Sequence, residues 1–390
     1  MIPLIASVVF GCGIWVLFVL DRDPRIRTSK ALWLPVVWML IGASRNVSEW
    51  MAVNGPMQSS DSGNAGAAYL DGNPIDRNVM AVMLFLALVV LARRWGKVAP
   101  ILRGNAPILM FFAYCAISSA WSEHPDVSIK RWIKAVGDLL MVTVVLTETD
   151  RVGAIKRFFA RTGFLLLPLS VLFIRYYSDI GRAYSPWDGG LSYTGVTTSK
   201  NLLGMICLIF GLAAGWRLLE ALQAPKQKWN KRSMAAQAVI VVLGLWLIHT
   251  ADSMTPFSCF VLATTVMLWA SRRSVVRRPY LVHVAVLAVL SVSFSALFLN
   301  IGSGLVQNLG RDSSLTGRTE IWNMVISMTP HPLFGAGYES FWVGQRLQKI
   351  WAVYWSHPNQ AHNGYIEVYL NLGWIGVGLL AVAIDRKSVV

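Results

Sequence analysis

Long apolar blocks separated by short basic connections occupy most of this chain, and that alternation dictates the solvent before it dictates the fold. Of 390 residues, 55% are hydrophobic and only 14% are charged. A backbone that crosses a bilayer must satisfy its own N–H and C=O groups, so blocks of this kind become helices. The blocks run over residues 2–20, 31–53, 79–92, 107–121, 132–146, 163–176, 201–216, 235–250, 256–270, 280–299 and 364–384. Several fall short of the ~20 residues a span needs, so their ends borrow polar flanks or lie buried in protein. The expected architecture is therefore all-α: a polytopic transmembrane helical bundle, a single membrane domain over residues 1–390 with about eleven helices. The first block has no basic stretch before it and no small-x-small site after it, which marks a retained anchor and not a cleaved signal. The chain stops at AVAIDRKSVV directly after an apolar block, which suggests a truncated C-terminus.

Charge supplies the orientation. About two thirds of the 35 lysines and arginines fall in alternate connections, and the positive-inside rule assigns those to the cytoplasm. The net charge of +15 is thus a topological signal, dispersed over many loops without interleaved aromatics, and it does not indicate nucleic-acid binding. The four cysteines, Cys12, Cys115, Cys207 and Cys259, sit inside apolar blocks and read as small buried hydrophobes with no disulfide expected.

The remaining cations lie on the opposite, extracytoplasmic side, where orientation does not call for them. Among these are Arg45, Arg182, Lys200, Arg311, Arg318, Arg346 and Lys349, while Lys130, Arg131 and Lys134 read as interfacial anchors. Lys200 opens an apolar block, where a charge inside a span costs roughly 2.5–3.5 kcal/mol on insertion scales. Snorkelling to lipid headgroups competes with a functional reading of it. The longest extracytoplasmic segment, residues 300–361, carries two stretches with charges at near-helical spacing, joined by the turn-rich PHPLFGAGY. Trp322, Phe341, Trp342, Trp351, Tyr354 and Trp355 within it fit an interfacial aromatic belt.

After that segment comes HNGYIEVYLNLGWIG, in which His362 and Asn363 are followed by nine residues, then Gly373, two more, and Gly376. An imidazole at the mouth of an apolar block can handle a proton at the bilayer surface, since histidine's ordinary pKa of about 6.5 lies near neutrality. A helix-capping role competes for His362, and Asn363 can cap as well. This stretch, with GVTTSKNLLG (195–204), ADSMT (251–255), and GRTEIW with HPLFGAGYESF (317–341), resembles the landmarks of the O-antigen ligase and O-antigen or exopolysaccharide polymerase superfamily, in the usual order.

The resemblance implies a metal-independent, inverting membrane glycosyltransferase of the bacterial inner membrane with its site facing the periplasm. Its donor would be a polyprenyl (undecaprenyl) diphosphate-linked glycan, and its acceptor a glycan or lipid A-core hydroxyl. By that resemblance His362 activates the acceptor and Arg318 holds the diphosphate. Charge chemistry adds Arg182, Lys200 and Arg311 as phosphate-binding candidates, because departing diphosphate gains negative charge that guanidinium groups match with paired hydrogen bonds. Asn363 and Glu320 are supporting candidates, and Arg318 has the alternative of pairing with Glu320 or Asp312 to order the loop. No cofactor and no metal are expected, because no carboxylate pair or Asp-x-Asp cluster appears at a membrane face. Ser253 and Thr255 stand where ligases proper usually carry a second arginine, which tilts the expectation toward a polymerase. A membrane transporter of polysaccharide or another anionic substrate is the alternative, though the chain shows no internal repeat.

Overall fold

The computed structural model describes residues 2–23, 26–52, 73–184, 190–225, 229–278, 280–285, 287–288, 315–354 and 357–385. In chain order the helices are α1 (Ile2–Leu20), α2 (Trp33–Gly42), α3 (Val47–Ala52), α4 (Pro74–Arg93), α5 (Trp95–Gly104), α6 (Ala106–Ser118), α7 (Pro125–Leu146), α8 (Arg151–Tyr176) and α9 (Ser178–Gly181). A short antiparallel hairpin follows, β1 (Arg182–Tyr184) with β2 (Leu191–Tyr193), in the register Arg182 opposite Tyr193. The chain continues through α10 (Lys200–Gln223), α11 (Lys231–Ala251), α12 (Met254–Ala270), α13 (Arg273–Val276), α14 (Leu315–Ser327), α15 (Gly344–Val353) and α16 (Gly364–Asp385). The fold is all-helical apart from that hairpin.

Among the described residues six helices are long and apolar enough to cross a membrane: α1, α4, α8, α10, α11 and α16. A seventh span arises if α5 and α6, bent by 86° at Asn105, are taken together. Residues 30–42 and Met254–Ala270 form shorter apolar helices. The chain is a multi-pass membrane protein. The apolar blocks read from the sequence fall largely within the described helices, with adjusted bounds. Block 31–53 divides between α2 and α3, α7 begins at Pro125 and α8 at Arg151, both earlier than blocks 132–146 and 163–176, and α10 runs past block 201–216 to Gln223. Most of block 280–299, Arg311, residues 300–314 and Trp355 lie outside the described residues.

The chain divides into two compact units, Met1–Met57 with Val144–Val289, and Gln58–Thr143 with Leu290–Val390. In the first, α8, α10 and α11 enclose a core of Phe164, Leu167, Leu203, Ile206, Phe210 and Leu247. Asp21 accepts hydrogen bonds from Arg217 (2.7 Å), Ser233 (2.7 Å) and Gln237 (3.1 Å), so its charge is matched inside the helix packing. Of α1 only Ala6 and Leu17 are buried, which suits a helix whose other faces meet lipid. In the second unit, α14, α15 and the first half of α16 pack around Val325, Phe341, Trp342, Ile350 and Leu370. Phe341 and Trp342 are buried there, so burial in protein, not an interfacial belt, accounts for these two aromatics.

Candidate active site

The mouth of α16 is built around one residue before the histidine. Glu367, one turn into the helix, reaches back so that its carboxylate accepts the Ala361 backbone N–H and the Trp342 indole N–H, the latter at 2.8 Å. From the other side the Trp322 indole donates to the Ala361 carbonyl at 2.8 Å. Ala361 is 2% exposed, so both of its backbone groups are fixed in a water-poor setting where their hydrogen bonds are hardest to give up. The next residue, His362, takes a left-handed backbone conformation (φ 54°) and is exposed. A β-carbon pays for that conformation, on the order of 1 kcal/mol, and the anchored Ala361 supplies the constraint that sustains it.

Asn363 takes the capping role. Its Oδ1 accepts from the backbone N–H groups of Tyr365 (3.1 Å) and Ile366 (3.4 Å), two of the donors a helix start leaves unpaired. The imidazole of His362 is therefore not required to cap α16.

After nine further residues, Gly373 breaks the helix with φ 62°. The groups freed by the break are met by neighbouring segments: Ala336 N–H donates to Leu370 O (2.9 Å), Gly337 N–H to Asn371 O (2.9 Å) and Tyr114 Oη to Leu372 O (3.1 Å). In the opposite sense Trp374 N–H donates to Pro332 O at 2.9 Å and Ile375 N–H to Leu333 O at 3.3 Å. Asn371 closes the joint, donating to Glu367 O (2.9 Å) and accepting from Phe341 N–H (3.0 Å). A Cβ on Gly373 would stand 2.2 Å from the Leu333 carbonyl carbon, and one on Gly335 2.4 Å from that of Asn371. The glycine of the His-Asn-x9-Gly spacing and the PHPLFGAGY stretch are thus two halves of one backbone joint, with the groups freed by the break paired inside the protein.

The remaining sequence-derived candidates fall as follows. Arg318 lies in the first turn of α14, four residues ahead of Trp322. Glu320 is exposed. Lys200 and Arg182 belong to the first unit. Arg182 donates through Nε to Ile174 O at 3.0 Å, with its guanidinium 5.8 Å from the Tyr193 ring centre. Lys200 is the first residue of α10, capped by Ser199, whose Oγ accepts Leu202 N–H at 3.2 Å. A cation at a helix N-terminus opposes the helix dipole, so an anion is the natural complement there.

One cation missing from the sequence-derived set joins these two. Arg45 donates to Ile180 O (2.7 Å) and Thr197 O (3.3 Å), tying the segment before Arg182 to the segment before Lys200. Gly181 O accepts Thr194 N–H (2.9 Å) and Gly195 N–H (3.0 Å) and draws the same ends together. The only signal in the sequence was that Arg45 stood among the cations topology did not explain. Among the described residues no group of three or more His, Cys, Asp or Glu is gathered as a metal site.

Residues 238–381 match the family described as O-Antigen ligase. That segment contains Arg318, the PHPLFGAGY loop, His362, Asn363, Glu367 and the Gly373 joint, so the resemblance covers the geometry just described. Arg45, Arg182 and Lys200 precede it. The chain is also similar to the exopolysaccharide production protein ExoQ of Rhizobium meliloti, with 27% identity over 291 residues, 71% of this chain and 63% of that protein. The alignment therefore spans less than two thirds of that relative's length. No solved structure matches the chain.

Proposed function

We propose that this protein is a metal-independent, inverting glycosyltransferase that moves glycan from a polyprenyl diphosphate carrier to a sugar hydroxyl on the extracytoplasmic face of the bacterial inner membrane. The observation that carries the reading is the mouth of α16, where Glu367 and Trp322 fix Ala361 while Asn363 takes the helix cap, leaving His362 exposed on a constrained backbone. His362 takes the acceptor hydroxyl proton as its oxygen bonds to the anomeric carbon. The bond from that carbon to the phosphate oxygen breaks, and the diphosphate leaves with the electron pair. General-base assistance of this kind is worth roughly 10²–10⁴-fold.

Arg318, one turn before Trp322 in α14, is our candidate for holding the leaving diphosphate. Arg45, Arg182 and Lys200, on segments that Arg45 ties together, are further candidates for a phosphate contact with the N-terminus of α10; Arg311 is kept as a further candidate from sequence. The exopolysaccharide role of ExoQ and the Ser253 and Thr255 positions favour chain polymerisation over ligation to lipid A-core. The transporter alternative loses ground at the Gly373 joint. Transporters use the open backbone of broken helices to coordinate substrate or ions, whereas here the freed groups are spent on the 332–337 segment and Tyr114.

The reading is tested by incubating the purified protein with a polyprenyl diphosphate-linked oligosaccharide and measuring elongated product for wild type, Arg318→Lys and Arg318→Ala. Lysine keeps the charge but loses the planar fork that engages two phosphate oxygens. Elongation that falls in Arg318→Lys and falls further in Arg318→Ala, with the defect in donor use, is expected. Near-normal turnover of Arg318→Lys would remove Arg318 from the site, and absence of transfer by wild type would defeat the enzyme reading.

A further inference from the structure

Within the second unit a cleft of about 630 Å³ opens between the start of α7, the end of α14 and one side of α15, and nothing in the proposed chemistry uses it. Its polar lining comes from Glu123, His124, Gln345, Arg346, Gln348 and Lys349. The volume falls in the ~300–1,000 Å³ range of ligand sites. Its floor is rigid. Arg346 is 8% exposed, and its guanidinium donates to the Glu123 carboxylate and to Phe341 O (3.3 Å) while lying 5.0 Å from the Phe341 ring centre. Gly344, at φ 63°, opens α15 so close to His124 that a Cβ would stand 2.5 Å from the imidazole Nε2. Ser122 donates to Ser340 at 2.7 Å and holds the two segments together just behind.

We infer that this cleft is an oligosaccharide-binding subsite, which holds sugars of the glycan substrate away from the bond being made; the inference rests on the glycosyltransferase reading. The lining decides the ligand class. The charge of Arg346 is already matched by Glu123, whose side chain remains 52% exposed and stands in the same lining as Lys349, so a phosphate would meet an open carboxylate and one ammonium but no unmatched guanidinium fork. A matched carboxylate and guanidinium, with the exposed amides of Gln345 and Gln348, instead offers acceptors and donors side by side, as adjacent sugar hydroxyls require. Because the floor is fixed before ligand arrives, little ordering cost is added on binding. The sugars held are either those of the growing acceptor chain or the far end of the donor's glycan.

The test uses the full chain in nanodiscs and lipid-free oligosaccharides of two repeat units released from the host cell's own surface polysaccharide, with binding read by saturation-transfer NMR. Wild type binds, Gln345→Ala/Gln348→Ala weakens binding by about tenfold, and Gln348→Trp, which fills the cleft, abolishes it, each variant keeping the wild-type thermal midpoint. Unchanged binding in both variants, or displacement of the sugar by inorganic pyrophosphate, overturns the inference. Transfer kinetics separate the sources: a rise in KM for the acceptor alone assigns the growing chain, and a rise for the lipid-linked donor alone assigns the donor's glycan. A protein that binds the oligosaccharide through the cleft but transfers nothing sustains the subsite and defeats the enzyme reading; transfer with KM unchanged for both substrates in the variants does the reverse.

Discussion

At the residue scale Glu367 is a carboxylate inside an apolar helix whose purpose the sequence does not announce. Its partners explain it, since it accepts from the backbone before His362 and from the Trp342 indole. Glu367 acts here as a positioning residue. Glu367→Ala should lower kcat by about tenfold or more, since bonds to a charged group are worth roughly 1.5–3 kcal/mol, while KM for the lipid-linked donor changes little. Equal losses in kcat and in protein stability, with KM unchanged and no rescue by Glu367→Gln, would mark it as a folding residue only. The roles of His362 and Asn363 as candidates were legible because residue type and position suffice to suggest a base and a cap. The Glu367 link was not, because it forms only when the chain turns through a left-handed residue that spacing does not reveal.

At the element scale the informative unit is a helix that does not run straight. The apolar block 364–384 reads as one continuous span, and its length and composition give no reason to break it. The break at Gly373 exists because the 332–337 segment supplies partners for the groups it frees, an arrangement fixed by residues far apart in sequence. Gly373→Ala would combine a strained φ with a backbone clash and should cost more than about 3 kcal/mol, read as a fall in thermal midpoint together with loss of transfer. A variant that kept both would show that the joint bends freely and does not position the site. The same reasoning explains why the sequence placed Trp322 in an aromatic belt. Its amphipathic ring suits a membrane surface, but its indole N–H is committed to Ala361.

At the scale of the whole molecule, block-by-block hydropathy recovered nearly every long helix, because membrane solvation acts on each segment independently. What hydropathy did not supply were the long-range pairings, such as Arg346 with Glu123, 223 residues away, and Arg45 with Ile180 and Thr197. Topology itself is testable by single-cysteine labelling in a Cys-free background: Ser274→Cys and Ser314→Cys should react from opposite faces of intact membranes, Ser314 from outside. Labelling of both from one side would displace the proposed site from the extracytoplasmic face. The most direct measurement of the central claim is transfer from a polyprenyl diphosphate-linked oligosaccharide by purified His362→Ala, compared with Asn363→Ala. If His362 is the general base, His362→Ala loses at least about 10²-fold in kcat while still binding the donor, and Asn363→Ala loses mainly stability, about 0.5–2 kcal/mol. Wild-type turnover in His362→Ala would contradict it.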